Sequence, residues 1–158
     1  MLALVDPGSE ELPLLLLVRS SQLSSHPGQV ALPGGRPAPE DGPLWRTALR
    51  EAQEELAVPE AAVRLRGRAT VVETPNSGYA IHPFVATLGH PFTPKAAAAE
   101  VSEYFWFPLR PAAGGHPERR RMRTSRGWLE VAGWPYGQHF VWGATGAIVS
   151  DLRERLEG

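Results

Sequence analysis

The chain has 158 residues, a length that predicts one domain with a buried core over residues 1–158. Its formal net charge of −1 argues against general electrostatic attraction to nucleic acid or to an anionic membrane surface. The sequence contains no cysteine, which excludes disulfides, zinc–thiolate sites and a cysteine nucleophile.

The first apolar residues predict a β-hairpin. The segments LALV and LLLLV flank a turn at Asp6-Pro7-Gly8, and both are apolar enough to be buried strands. The run LPLLLLV is much shorter than the roughly 20 residues that cross a bilayer. No basic segment or small-residue cleavage site indicates a signal peptide. We therefore expect a cytoplasmic protein that does not enter the membrane.

The middle of the chain predicts a helix between two stretches of strand. A polar loop is expected over 20–42, followed by a helix over 44–57 that stops near Pro59. VRLRGRATVVE alternates apolar and basic residues, which predicts one strand with a solvent-exposed face. IHPFVATLG predicts a strand interrupted at Pro83, and KAAAAEVSEYFWFPL predicts a loop that leads into a strand.

The last third of the chain predicts a hairpin and a second helix. RGWLEV and QHFVWG are expected to pair around a turn at Gly133-Trp134-Pro135. ATGAIVSDLRERL has helical spacing. Its expected buried stripe consists of Ala147, Ile148, Leu152 and Leu156. Strands that precede and separate two helices predict an α/β sandwich.

The helix predicted over 44–57 separates an apolar side from an acidic one. At about 100° per residue, Glu51, Glu54 and Glu55 fall within one arc of about 100°. Their mutual repulsion is offset only in part by Arg50. The opposite arc is the apolar stripe Trp45, Leu49, Ala52 and Leu56. Taken alone, the acidic side is either a solvent-exposed face, the commoner case, or a site for a hard cation such as Mg²⁺.

The segment before the helix favours the cation site. LPGGR places Gly34 and Gly35 in a tight turn whose backbone can closely approach a metal ion or a phosphate. Together, turn and helix resemble the Nudix hydrolase family, whose box reads G-x5-E-x7-R-E-U-x-E-E-x-G-U, with U a bulky aliphatic residue. The matching residues are Gly35, Arg50, Glu51, Glu54, Glu55 and Val58.

The chain departs from this box at three places. Asp41 has the spacing of the first acid from Gly35, with Glu40 beside it, but eight residues rather than seven separate Asp41 from Arg50. Ala52 is smaller than the usual aliphatic residue. Ala57 replaces a glycine that would favour a left-handed helix cap. The role of Asp41 stays open between an acid of the site and a helix N-cap.

The residues upstream narrow the resemblance to one branch. LLLLVRSSQLSSHPGQVALPGG is similar to the signature L-L-T-x-R-S-x3-L-x3-G-x-x-x-F-P-G-G of the coenzyme A pyrophosphatase branch, of which the longer box is also typical. TPNSGYAIHPFVA, EVSEYFWFPL and FVWGATGAIVSDL resemble later blocks of that branch. The resemblance implies a Nudix-type α/β/α sandwich with a mixed β-sheet. It also implies Mg²⁺- or Mn²⁺-dependent cleavage of coenzyme A to 4'-phosphopantetheine and adenosine 3',5'-bisphosphate.

The resemblance assigns roles to the acidic residues. It implies that Glu51 and Glu55 are the principal metal ligands, with Glu54 a third and the Gly34 carbonyl a fourth. Arg50 would orient these carboxylates. Glu100, just before the FWF strand, is the first candidate for the general base, and Glu103 is the alternative.

Residues around the glycine turn and in the loop before it are candidates for contacts with the substrate. Five residues are candidates for substrate binding: Arg19, His26, Gln29, Gly35 and Arg36. The arginine cluster over 119–126 is either a binding site for the 3'-phosphate or an exposed hairpin.

The rival functions are a Nudix hydrolase that acts on ADP-ribose or on a dinucleotide, and an inactive nucleotide sensor. The expected partner is a small pyrophosphate and not nucleic acid, because no aromatic–basic platform is evident. The sequence leaves open the oligomeric state and the choice between Mg²⁺ and Mn²⁺.

Overall fold

The computed structural model describes residues 1–74, 78–111, 115–124 and 127–158. Two α-helices, a short 3-10 turn at Glu60–Ala62 and eleven strands lie within these ranges. In chain order they are β1 (Leu2–Val5), β2 (Pro13–Arg19), β3 (Val30–Ala31), α1 (Leu44–Leu56), β4 (Val63–Arg68), β5 (Val72–Thr74), β6 (Tyr79–Ile81), β7 (Phe84–Leu88), β8 (Val101–Pro108), β9 (Glu118–Thr124), β10 (Gly127–Tyr136), β11 (His139–Trp142) and α2 (Gly143–Glu157).

The main sheet is mixed and has the order β3-β2-β1-β7-β4, and β8 also pairs with β2 along its length. β1 and β7 run parallel, with Leu2 opposite Phe84, whereas the other pairs in this sheet are antiparallel. β9, β10 and β11 form a second sheet, and β5 and β6 form a two-stranded one. The predicted α/β sandwich with a mixed sheet is confirmed.

The central strands of the main sheet are buried on both faces. This explains why their sequence is a continuous apolar run rather than an alternation of apolar and polar residues. On one face, leucines of β1 and β2 pack with Ala52 and Leu56 of α1. On the other face, the alternate residues of these strands pack with Ile148, Val149 and Leu152 of α2. The sheet therefore holds α1, which carries the acidic residues, in a fixed place.

Several predicted elements agree with the structure. β1 and β2 pair antiparallel as a hairpin, and α1 ends one residue before its predicted end. The interruption at Pro83 is also confirmed. β6 ends before this residue and β7 begins after it, and the two strands belong to different sheets. No helix in the described ranges is long and apolar enough to cross a membrane.

The single strand predicted for VRLRGRATVVE is wrong. The segment forms β4 in the main sheet and β5 in the two-stranded sheet. The register of β4 shifts between Leu65 and Gly67, and Ala69 then leaves the strand as a buried residue that donates to the Pro83 carbonyl at 3.1 Å. A bulge therefore redirects the chain.

Further details differ from prediction. The polar loop over 20–42 contains β3, which pairs with the end of β2. The hairpin turn lies at Gly137-Gln138, with Gly137 at φ 55, and not at 133–135, which are residues of β10. The predicted pairing of RGWLEV with QHFVWG is also wrong, because β11 pairs with residues 133–136 and the earlier residues 127–133 of β10 pair with β9. In α2, Ile148 and Leu152 are buried and Leu156 packs against the core as predicted, whereas Ala147 is exposed and Val149 is buried.

Ala57 ends α1 in the left-handed conformation, with φ 54 and ψ 33. The Ala57 N–H donates to the Gln53 carbonyl at 3.0 Å and the Val58 N–H donates to the Ala52 carbonyl at 3.3 Å. The helix cap that the box glycine would favour therefore forms with alanine instead. The sequence indicated that the missing glycine removes this cap. The structure shows that alanine adopts it despite the crowding of its Cβ.

Replacing Ala57 by glycine should therefore raise the free energy of unfolding by about 0.5–1 kcal/mol, because glycine adopts positive φ without steric cost. Denaturant unfolding checks this. The same substitution at Ala147, an exposed interior position of α2, is the control and should lower the free energy by up to about 1 kcal/mol. A loss of stability in both variants would contradict the strain at Ala57.

Candidate active site

The turn at Gly34-Gly35 packs directly on the acidic residues of α1. The Gly34 N–H donates to Oε2 of Glu55 at 3.0 Å. A Cβ atom on Gly35 would overlap the Glu51 carboxylate and would displace it from its present position. Gly34 itself has φ 152, a conformation that favours glycine. Gly34 thus binds the Glu55 carboxylate through its N–H, and Gly35 lies against the Glu51 carboxylate.

Glu55 is buried, with 3% of its surface exposed. The helical pattern alone left the acidic side either solvent-exposed or a cation site, and the Gly34 turn covers Glu55, so this residue is not part of a solvent-exposed face. Burial raises the pKa of Glu55 to about 7, against the Gly34 hydrogen bond, and the charges of Glu51 and Glu100 raise it further. Burial also raises the pKa of Glu51, while Arg50 opposes that shift. Two carboxylates are thus held where negative charge is poorly solvated.

Arg50 joins the remaining acidic groups. It forms ion pairs with Asp41 at 2.7 Å, with Glu51 at 3.0 Å and with Glu54 at 3.1 Å. Its Nη2 also donates to the Arg36 carbonyl at 3.2 Å. Glu54 keeps 53% of its side chain exposed and points to Arg50. The guanidinium therefore fixes the helix carboxylates relative to the glycine turn.

Asp41 is a buried partner of Arg50 and not the N-cap of α1. The helix N-cap is Pro43, which makes no side-chain cap. The Asp41 carboxylate accepts hydrogen bonds from the Ala38 N–H and the Thr47 hydroxyl, both at 2.8 Å, and from Nε and Nη2 of Arg50. The hydrogen bond from Arg50 holds the pKa of Asp41 well below its usual range. Its burial and contacts define it as an anchor for Arg50.

An Asp41→Asn substitution should lower turnover by about 10- to 100-fold, the usual cost of losing a group that orients a metal ligand. The melting temperature should fall as well, because Arg50 loses an anionic partner. Asp151→Asn is the control. Asp151 also accepts hydrogen bonds from a threonine, Thr70, and an arginine, Arg155, but it lies on α2. The Asp151→Asn substitution should lower stability and leave turnover unchanged. Equal losses of turnover in the Asp41→Asn and Asp151→Asn variants would contradict a specific role for Asp41.

The two candidates for the general base have different environments. The charge of Glu100 raises the pKa of both Glu51 and Glu55, which places Glu100 close to the acidic pair. Its carbonyl accepts a hydrogen bond from the Ser20 N–H at 2.8 Å, which ties it to the end of β2. Glu103 instead contacts Nε2 of His139 at 3.2 Å and the Gln138 amide at 3.5 Å.

The candidates for substrate binding are divided between the site and the loop before it. The charge of Arg19 lowers the pKa of Glu55, so this arginine lies near the acidic pair, and its Nε donates to the Ser25 carbonyl at 3.2 Å. Gln29 pairs with Arg19 through the backbone. His26 is exposed and has φ 52. These residues form a loop closed onto the end of β2.

Arg36 lies at the outer edge of the glycine turn. Its guanidinium stacks on the ring of Tyr79, with Cζ 4.8 Å from the ring centroid. Sequence reasoning missed Tyr79. The available signal was an aromatic residue within the block TPNSGYAIHPFVA, of which residues 75–77 lie outside the described structure.

The arginine cluster lies on the second sheet. Arg119 pairs with Glu130 and Arg120 with Glu118, both at 2.9 Å. Arg121 lies over the ring of Trp128 at 5.8 Å. Residues 125–126 of the predicted cluster lie outside the described residues. A role for the cluster in binding the 3'-phosphate stays a prediction.

The oxygen donors fit a hard divalent cation. In the described parts of the chain, no three His, Cys, Asp or Glu side chains form a ready-made cluster for a metal ion. Mg²⁺, however, is usually held by one or two protein carboxylates together with substrate phosphates. Glu51 and Glu55 supply two carboxylates of raised pKa beside the Gly34-Gly35 turn, and a cation there would stabilise their ionised forms.

The raised pKa of Glu55 predicts how the stability of the metal-free protein depends on pH. The carboxyl has a pKa of about 7 when folded and an ordinary value of 4.5. Its contribution to stability is therefore complete below pH 4.5 and is lost as the pH rises through 7, at a cost on the order of 3 kcal/mol. Denaturant unfolding in EDTA, compared with a Glu55→Gln variant, measures this. Parallel pH profiles of the two proteins would contradict it.

Comparison with solved structures identifies the fold class of the protein. The crystal structure of a Nudix hydrolase from M. smegmatis, RenU, superposes with a TM-score of 0.62 at 20% identity and covers 99% of this chain and 83% of that one. The fold is thus that of a Nudix-type α/β sandwich.

Comparison with known sequences identifies the family to which the chain belongs. Residues 1–125 match the NUDIX domain model. The chain is 36% identical to the uncharacterized Nudix hydrolase NudL of Yersinia enterocolitica, covering 90% of this chain and 73% of that protein. It is 40% identical to the NudL protein of Escherichia coli, covering 88% and 72%. The chain belongs to the Nudix hydrolase family, as the resemblance of its box indicated.

Proposed function

We propose that the protein is a metal-dependent diphosphatase that hydrolyses coenzyme A to 4'-phosphopantetheine and adenosine 3',5'-bisphosphate. The hydrolytic part of the proposal rests on the contact of the Gly34-Gly35 turn with the buried carboxylate of Glu55 and the partly buried carboxylate of Glu51. The choice of coenzyme A rests on the segment LLLLVRSSQLSSHPGQVALPGG, which is similar to the branch signature.

A pyrophosphate needs neutralisation of its charge before water can attack it. A bound Mg²⁺ or Mn²⁺ would supply the positive charge that neutralises the pyrophosphate and would favour the ionisation of water. Glu51 and Glu55 would hold the cation, with Glu54 and the Gly34 carbonyl as further ligands. Arg50, anchored by Asp41, keeps the carboxylates in place. The absence of a side chain on Gly35 lets the turn lie against the Glu51 carboxylate.

The hydrolytic step needs a group that accepts a proton. We assign this role to Glu100, because its charge acts on both Glu51 and Glu55. The water oxygen joins one phosphorus atom, and the bond from that phosphorus to the bridging oxygen breaks. Glu100 takes the proton, and the second phosphate leaves with the bridging oxygen. Glu103, which contacts His139, is the alternative base.

The cationic residues around the acidic pair would bind the substrate phosphates. Arg19 and Arg36 lie on two sides of the site, one near Glu55 and the other at the glycine turn. His26 and Gln29, on the loop closed onto Arg19, would contact the pantetheine arm. The planar guanidinium matches phosphate geometry better than an ammonium group does.

A product analysis tests the substrate. Coenzyme A and ADP-ribose are incubated with equal enzyme and Mg²⁺, and phosphopantetheine release is compared with ribose 5-phosphate release. We expect coenzyme A to be the better substrate by at least tenfold in kcat/KM. A wide margin in favour of ADP-ribose would refute the assignment to the coenzyme A branch but would support the assignment as a pyrophosphatase. No turnover of either, with retained nucleotide binding, would indicate a sensor.

A further inference from the structure

Tyr79 is an exposed aromatic residue beside the glycine turn. It begins β6, and its carbonyl accepts a hydrogen bond from the Thr74 hydroxyl at 2.8 Å, which fixes its backbone on the two-stranded sheet. The residue nevertheless exposes 51% of its surface. Exposure alone does not identify a binding residue, because Trp128 of the second sheet exposes 64% of its surface. Tyr79 differs from it in its contact with Arg36, the residue that follows the glycine turn.

Arg36 connects this ring to the acidic residues. Its guanidinium stacks on Tyr79 with Cζ 4.8 Å from the centroid, and its carbonyl accepts a hydrogen bond from Arg50 at 3.2 Å. Arg50 in turn pairs with Glu51. Three contacts, one stacking and two polar, therefore join the exposed ring to a carboxylate of the hydrolytic site. Arg36 covers one face of the ring, and the exposed area of the residue leaves ring surface available to a ligand.

The chemistry of this pair suits a nucleobase. Exposed aromatic side chains bind bases by stacking, and one such contact typically changes affinity by about 5- to 100-fold. An arginine stacked on the same ring keeps it in place and adds positive charge near the phosphates that follow the base. Both candidate substrates, coenzyme A and ADP-ribose, place an adenosine next to the pyrophosphate.

We propose that Tyr79, supported by Arg36, is the seat of the substrate's adenine ring. This inference rests on the proposed pyrophosphatase function, because the base must lie within reach of a pyrophosphate at Glu51 and Glu55. The seat is the same for coenzyme A and for ADP-ribose. It is therefore independent of which of the two the enzyme prefers.

Direct binding tests the seat without turnover. Adenosine 5'-monophosphate and ribose 5-phosphate, which lacks the base, are titrated with Mg²⁺ by calorimetry into wild type, Tyr79→Phe and Tyr79→Leu. We expect Tyr79→Leu to weaken adenosine monophosphate binding by about 10-fold, with Tyr79→Phe close to wild type. Ribose 5-phosphate should bind all three equally. In steady-state assays, Tyr79→Leu should raise KM by a similar factor and change kcat by less than about twofold.

Trp128→Leu is the matched control. Trp128 is also an exposed aromatic residue under an arginine, Arg121, but it belongs to the second sheet, and its loss should change neither affinity. Equal adenosine monophosphate affinities for wild type and Tyr79→Leu, an equal loss for ribose 5-phosphate, or no binding by the wild type would each overturn the seat. A wild type that binds adenosine monophosphate through Tyr79 but hydrolyses no pyrophosphate would refute the proposed function and retain the seat.

Discussion

The Glu55→Gln variant should hydrolyse its pyrophosphate substrate more than about 100-fold more slowly than the wild-type protein. Loss of a group that only orients a metal ligand costs about 10- to 100-fold, and loss of a ligand itself should cost more. Glutamine keeps the size of the side chain and an oxygen that can accept the Gly34 N–H. The substitution therefore removes negative charge with little change in packing.

Two measurements separate a lost ligand from a damaged fold. Mn²⁺ binding, followed by electron paramagnetic resonance, should weaken together with turnover. Unfolding of the metal-free variant at pH 8 should show no loss of stability, because burial disfavours the charge that has been removed. Glu60→Gln changes an exposed acid that pairs with Arg46 at 3.7 Å and should leave both Mn²⁺ affinity and turnover unchanged. Wild-type turnover in Glu55→Gln would refute its assignment as a ligand.

The second large effect is expected at Glu100. A general base typically contributes about 10²- to 10⁴-fold, so Glu100→Gln should lower kcat by a factor in that range. Mn²⁺ affinity should stay close to wild type, because the principal ligands remain.

Glu103→Gln is the matched comparison for Glu100. Both acids lie in the segment EVSEYF, but Glu103 is engaged with His139 and Gln138. We expect its loss to reduce turnover less than about threefold, well below the contribution of a general base. The reverse outcome, with a large loss at Glu103 and a small one at Glu100, would transfer the role of base to Glu103.

Local patterns predicted the helix and its acidic side, because helical periodicity is visible within a dozen residues. The burial of Glu55 was not visible in the same way. It depends on the Gly34 N–H, which is 21 positions away in sequence and reaches the helix only after the chain has folded back. A helical projection places residues relative to one apolar stripe, and it contains no information about a turn that covers the other side.

Glycine and proline gave an ambiguous signal at the second hairpin. Gly133 was interpreted as a turn residue, but it lies within β10, where a Cβ would be 2.7 Å from the Phe140 ring. Close packing, and not a turn, requires glycine there. Gly137, with φ 55, is the residue that forms the turn. Alternation likewise cannot indicate that β4 and β5 belong to different sheets, because both sheets have the same period of two.

The role of Asp41 depended on the loop rather than on the spacing of the box. One additional residue between Asp41 and Arg50 seemed to displace the acid, yet the loop still brings its carboxylate to the guanidinium at 2.7 Å. An irregular loop absorbs one residue by a change of path, whereas a helix cannot without rotating its side chains by about 100°. The extra residue was tolerable because it lies before Leu44, where α1 begins.

The shared guanidinium of Arg50 has a consequence for the order in which ligands arrive. Three carboxylates, those of Asp41, Glu51 and Glu54, divide one positive charge among them, and Glu55 adds a further acid beside them. An anionic pyrophosphate that approaches this cluster alone meets repulsion. Divalent cations are attracted by the same field. Productive encounters should therefore be ordered, with the cation preceding the substrate, and the association rate of the substrate should rise with divalent cation concentration until the site is saturated.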